Sequence, residues 1–228
     1  MEPVALRRVY VWELPVRLYH WINALAVTVL AVTGYMIGRP VSIPIGGEAS
    51  FSYFFGWVRV FHFAAAYVFF FNFAFRIYWG FAGNRYARWD NFLPLSGRLL
   101  RKQMREAIEV LKVDVLQARV EPMESVGHNA LAGWTYFLTF LVFLFQAATG
   151  FALYAPMSQA WLPHQFTWVV PLMGGEFAVR QWHHLMLWVF VVFSMVHVYI
   201  VFYHDYVEGR GVLSSMAGGW KFVEKRRT

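Results

Sequence analysis

The sequence predicts an all-α integral membrane protein, a bundle of four membrane-crossing helices. Three observations carry that prediction. Of 228 residues, 59% are hydrophobic and only 14% charged, against roughly a quarter charged in an average soluble domain. The apolar residues gather into four runs, each close to the ~20 residues that a spanning helix needs. The basic residues collect in alternate segments between those runs, the pattern that membrane topology imposes.

The first run is Leu18–Ile37. Glu2, Arg7, Arg8 and Glu13 interrupt the segment before it, so no cleavable signal peptide is read there. The connection 38–57 contains Gly and Pro but only one Arg and one Glu, Arg39 and Glu48. The second run is Val58–Phe81, the third Ala130–Tyr154 and the fourth Trp182–Tyr203. The last two are joined by residues 155–181, a weakly charged stretch rich in Pro, Gly and Trp. None of the runs alternates with period two, which argues against strands of a barrel.

The segment between runs two and three is far more basic, with Arg85, Arg88, Arg98, Arg101, Lys102, Arg105, Lys112 and Arg119. Arg7 and Arg8 lie before the first run, and Arg210, Lys221, Lys225, Arg226 and Arg227 after the last. The positive-inside rule then places both termini and the middle loop in the cytoplasm, and an even number of spans makes this self-consistent. Within the middle loop Leu99, Leu100, Met104, Ile108, Leu111 and Val115 recur at roughly helical spacing between basic residues. That pattern predicts an amphipathic helix on the inner membrane surface. Residues 1–228 are expected to form one membrane domain, with Lys221–Thr228 a short basic tail. The net charge of +7 follows from this topology and needs no nucleic acid to explain it.

Cysteine is absent. This excludes disulfides, iron–sulfur clusters held by this chain and covalent haem attachment through C-x-x-C-H.

Arginine, two residues, histidine occurs three times, with an aromatic before each histidine: Arg17-Leu18-Tyr19-His20, Arg59-Val60-Phe61-His62 and Arg180-Gln181-Trp182-His183. Each stands at the entrance to an apolar run, where ionisable groups are costly and usually functional. Residues three apart share a helix face. Imidazole suits a haem iron and guanidinium a haem propionate, so Arg17, Arg59 and Arg180 are propionate candidates; the plainer role is anchoring at the interface.

The topology sorts the histidines by depth. His62 and His183 fall near the outer face, His20 and His197 near the inner one. His183 and His197 are fourteen residues apart, within about 40° of one helix face and about 21 Å along its axis. One helix can therefore serve two stacked haems, with pairs His62/His183 and His20/His197. Adjacent His184 is rotated about 100° from His183 and cannot serve the same face. Four histidines so far apart cannot share one tetrahedral zinc. Two imidazoles on an iron leave no open position, which suits electron transfer.

Helix one contains Ala31-Val32-Thr33-Gly34-Tyr35 and helix three Ala148-Thr149-Gly150-Phe151. Gly34 and Gly150 would let a flat cofactor, or equally a neighbouring helix, approach the backbone. His128 and Asn129 open helix three; Asn129 suits a helix cap, and together they are candidates for a quinone pocket. His164 reads as a surface residue. His204, beside Asp205, reads as an interfacial one.

These residues resemble the cytochrome b subunit family of membrane-bound nickel–iron hydrogenases. Arg17-Leu18-Tyr19-His20-Trp21 with Val32-Thr33-Gly34 is similar to the family's first signature. Trp182-His183-His184-Leu185, Trp188 and Met195-Val196-His197-Val198-Tyr199 are similar to its second. Gly83-Asn84-Arg85-Tyr86, Gly127-His128-Asn129 and Gly150-Phe151-Ala152-Leu153-Tyr154 fit as well. The resemblance implies a four-helix anchor in the bacterial inner membrane that binds two b haems through His20, His62, His183 and His197. It implies electrons arriving from the iron–sulfur chain of a hydrogenase small subunit on the periplasmic side and leaving to quinone. Hydrogen cleavage would belong to the large subunit. The same plan serves the cytochrome b subunits of formate dehydrogenase and thiosulfate reductase, which are the near alternative. A histidine-relay proton transporter is the remote one and predicts a colourless protein.

Overall fold

The structure is a computed structural model and describes residues 6–40, 53–89, 104–105, 108 and 130–224. Four long helices dominate it: α1, Leu14–Gly38; α2, Phe54–Ala82; α3, Ala130–Tyr154; and α4, Glu176–Glu208. Each contains a stretch long and apolar enough to cross a bilayer. With 25 to 33 residues, they run about 38–50 Å, longer than the ~30 Å hydrocarbon core. The α3 helix coincides with its apolar run. The others begin earlier than theirs, because backbone hydrogen bonding does not stop where side chains turn polar. At the start of α4, Glu176 lies in the first turn, where a carboxylate suits the helix dipole, and pairs with Arg180 at 2.6 Å. Leu25, Phe81, Leu138 and Val192 are each more than half exposed on the long helices, as lipid-facing side chains must be.

The chain packs as two compact units. One comprises Met1–His20, Phe75–Phe140 and Met195–Thr228; the other comprises Trp21–Ala74 and Leu141–Ser194.

In the first unit, β1 (Leu6–Tyr10) and β2 (Trp220–Glu224) form an antiparallel pair, with Leu6 opposite Glu224 and Tyr10 opposite Trp220. Lys221–Glu224 therefore belongs to a strand, not to a loose tail as its charge suggests. The pairing joins segments near opposite ends of the chain, so composition alone does not announce it. Tyr10 and Trp220 rings meet at 5.0 Å, and the Arg8 guanidinium lies 4.2 Å over Trp220. Val11 and Trp12 amides donate to the Gly219 carbonyl at 2.9 and 3.1 Å. Gly219, at φ +85°, ends the short helix Val212–Gly218 in a conformation that suits glycine. Asp205 Oδ1 accepts the Leu213 amide at 3.0 Å near the start of that helix.

The turn after α2 is tied to the same region. Asn84 Oδ1 accepts the amides of Tyr86 and Ala87 at 2.9 and 3.1 Å, while its Nδ2 donates to the Val11 carbonyl at 3.0 Å. Glu13 Oε2 accepts the Asn84 amide at 2.8 Å and Trp79 Nε1 at 3.2 Å. Arg76 donates to the Ala87 carbonyl at 3.1 Å and lies beside the Trp89 ring. Of the expected amphipathic helix, Met104, Arg105 and Ile108 are described, helical and exposed; Leu99, Leu100, Leu111 and Val115 lie outside the described residues.

The second unit is held by aromatic packing. Phe143 of α3 meets Phe69 at 4.7 Å and Phe73 at 5.5 Å from α2, and Phe190 at 5.1 Å from α4. Ala152, Val169 and Val179 form a buried cluster. The link between α3 and α4, residues 155–175, is folded, with one-turn helices at Trp161–His164 and Val169–Leu172. Phe166 of this link stacks on Phe151 at 5.5 Å.

Candidate functional site

The predicted histidines divide between the two units. His20 and His197 fall in the first and His62 and His183 in the second.

In the first unit the His20 and His197 ring centres stand 6.2 Å apart. Two metal–nitrogen bonds of about 2 Å each, plus two ring radii of about 1 Å, sum to about 6 Å. The spacing therefore fits one metal between two imidazoles. Arg17, one turn before His20, donates from Nη1 to the Ala217 carbonyl, where a cation meets the negative end of the Val212–Gly218 helix.

In the second unit His62 comes from α2 and His183 from α4. Their Nδ1 atoms have matching partners. His62 Nδ1 lies 2.9 Å from Thr33 Oγ1, and His183 Nδ1 lies 2.9 Å from Thr149 Oγ1. Each threonine hydroxyl already donates to the carbonyl four residues earlier: Thr33 to Val29 at 2.6 Å, Thr149 to Phe145 at 2.8 Å. A hydroxyl has one proton, so each oxygen is left as an acceptor. Both histidines then carry their proton on Nδ1 and leave Nε2 unprotonated, the nitrogen with which an imidazole can bind a metal. Gln146 Nε2 donates to the bare Nε2 of His183 at 3.3 Å, which agrees with that tautomer.

Gly34 and Gly150, the residues after those threonines, face the same rings. A Cβ at Gly34 would stand 3.2 Å from His62 Cε1, and one at Gly150 would stand 3.1 Å from His183 Cε1. The neighbour that these glycines admit is thus an imidazole from the adjoining helix. The His184 ring occupies the space that a Cβ at Gly38 would need.

The other candidates are placed as follows. Arg59 is exposed on α2. Arg180 is exposed and paired with Glu176. His164 is exposed and bonded to the Ser158 carbonyl at 2.9 Å. His128 and Asn129 lie outside the described residues. Among the described residues no three His, Cys, Asp or Glu side chains gather as a metal cluster; the histidines meet as pairs. Thr33 and Thr149 are site residues that the Arg-x-x-His pattern does not point to. Their signal in the sequence is the repeated Thr-Gly step.

The chain is similar to known proteins over nearly its whole length. A protein from Cupriavidus necator called "Probable Ni/Fe-hydrogenase B-type cytochrome subunit" is 42% identical over 221 residues, covering 95% of this chain and 88% of its own. One of the same name from Azotobacter vinelandii is 40% identical over 222 residues, covering 96% and 90%. "Probable Ni/Fe-hydrogenase 1 B-type cytochrome subunit" from Escherichia coli is 35% identical over 216 residues, covering 93% and 90%. Residues 11–219 match the family described as prokaryotic cytochrome b561. With four membrane-length helices and relatives alike over nearly their whole length, the chain belongs to the prokaryotic cytochrome b561 family.

Proposed function

We propose that this chain is the membrane-anchoring, electron-transferring subunit of a nickel–iron uptake hydrogenase and binds two b-type haems in one membrane domain. The observation that carries the reading is the 6.2 Å between the His20 and His197 rings, a gap sized for a metal with an imidazole on each side. The second pair, His62 and His183, supports it through the threonine hydroxyl 2.9 Å from each Nδ1, a partner that would favour a proton on Nδ1 and leave Nε2 for a metal. The relatives' shared name favours a hydrogenase over a formate dehydrogenase or thiosulfate reductase as partner.

When bound, such a haem would supply a one-electron iron couple and would be held by His20 with His197 or by His62 with His183. The chain's own residues do the rest. His20, His62, His183 and His197 fix the two binding levels. Gly34 and Gly150 admit the histidine rings beside the backbone. Arg17, Arg59 and Arg180 stand one helical turn from three of those histidines and are the candidates to hold anionic propionates, for which Arg180 would have to leave Glu176. The long apolar helices keep water from the site and hold the chain in the inner membrane. Electrons arrive from the small subunit on the periplasmic side, the large subunit having split hydrogen. They leave to quinone near the opposite face, where His128 and Asn129 are the candidate contacts.

The test is a haem-to-polypeptide ratio with a reduced-minus-oxidised spectrum of the purified chain. Two b haems per chain, reduced by hydrogen in membranes containing the whole complex, are expected. Colourless protein from cells with ample haem would overturn the reading.

A further inference from the structure

Thr33 and Thr149 are two of the few buried polar side chains on the long helices, at 9% and 0% exposure. Each lies on a helix next to the one that carries its histidine, and each is followed by the glycine that touches the same ring. The arrangement occurs twice: Thr33-Gly34 of α1 against His62 of α2, and Thr149-Gly150 of α3 against His183 of α4. Ordinary helix packing explains a buried threonine that bonds back to its own helix. It does not explain why both hydroxyls also meet an Nδ1 at 2.9 Å, nor why both rings rest on the following glycine.

Resting on the diheme reading, we infer that Thr33 and Thr149 are positioning residues that set the redox potential of the haem held by His62 and His183. Each hydroxyl accepts the Nδ1–H of its histidine. That fixes the tautomer and aims the bare Nε2 at the iron. Accepting this proton also makes the imidazole more electron-donating, which favours ferric iron and holds the midpoint potential down. Glycine follows because the ring must approach the backbone for the bond to form. With a Cβ there, the ring would have to give by a few tenths of an ångström.

The experiment is a potentiometric titration of the purified wild type, Thr33→Val, Thr149→Val and both Thr→Ser variants, with electron paramagnetic resonance of the ferric haems. Valine keeps the branched shape and removes the acceptor. We expect each valine variant to raise the midpoint of one haem only, to shift that haem's low-spin signal, and to leave the second haem at its wild-type values. Serine restores both readouts. The haem that shifts is the one absent from His62→Ala protein. Two bound haems with unmoved midpoints in both valine variants would overturn the inference, as would equal shifts of both haems or a shift that serine fails to reverse. If a valine variant loses haem, serine protein with two haems at wild-type potentials supports the inference, and serine protein that also loses haem overturns it. A wild-type chain without two haems would instead overturn the diheme reading itself.

Discussion

His183 and His184 are neighbours in sequence, yet their environments differ. His183 meets Thr149, Gln146 and Gly150; His184 meets Gly38. The 100° step of the helix separates them. His183→Ala is therefore expected to lose one of two haems, and His184→Ala to keep both, measured as haem per polypeptide. Retention of two haems by His183→Ala would break the assignment. The glycines give a graded test. Gly150→Ala adds one methyl at 3.1 Å from the ring, so a small spectral shift with haem retained is expected. Gly150→Leu places a large side chain where no space exists, and loss of that haem is expected. Overpacking of this kind costs about 1–3 kcal/mol or more. The threonines are less legible in the sequence than the histidines. A hydroxyl on a spanning helix has many ordinary uses, and only the partner's ring nitrogen at bonding distance singles out these two.

At the scale of elements, apolar run length announces the four helices, because a bilayer demands it. It does not announce the strands. Five residues at each end, Leu6–Tyr10 and Trp220–Glu224, pair across nearly the whole chain, and neither segment is apolar enough to stand out. The Gly83-Asn84-Arg85-Tyr86 segment stands out in the sequence only through a family resemblance. The structure gives it a physical role: Asn84 closes the turn after α2 and ties it to Val11, while Glu13 accepts two donors from the same region. Glu13→Ala leaves the Trp79 and Asn84 donors without that acceptor. A loss of about 1–3 kcal/mol is expected, read as a lower melting temperature in detergent. Asn84→Ala should fall in the same range. A melting temperature unchanged in both variants would mean that this clasp contributes little.

For the whole molecule, the alternation of basic and weakly charged segments predicts both termini and the middle loop on the cytoplasmic side. Reporter fusions test this. Fusions after residue 228 and near residue 100 should be active as cytoplasmic reporters, and fusions near residue 47 as periplasmic ones. The opposite pattern would reverse the depth ordering of the histidine pairs. It would place His20 and His197, rather than His62 and His183, nearest an external electron donor.

The sequence by itself determined the solvent of this protein, the number and approximate limits of its spanning helices, and which histidines share a helix face. Those properties follow from local composition and from the fixed pitch of an α-helix, and need no knowledge of neighbours. Only the tertiary structure decided what each ring touches. The 6.2 Å gap between His20 and His197, the threonine acceptors behind His62 and His183, and the pairing of the two strands all join residues distant in the chain. Such contacts depend on how helices rotate and pack against one another, which the periodicity of a single segment does not specify.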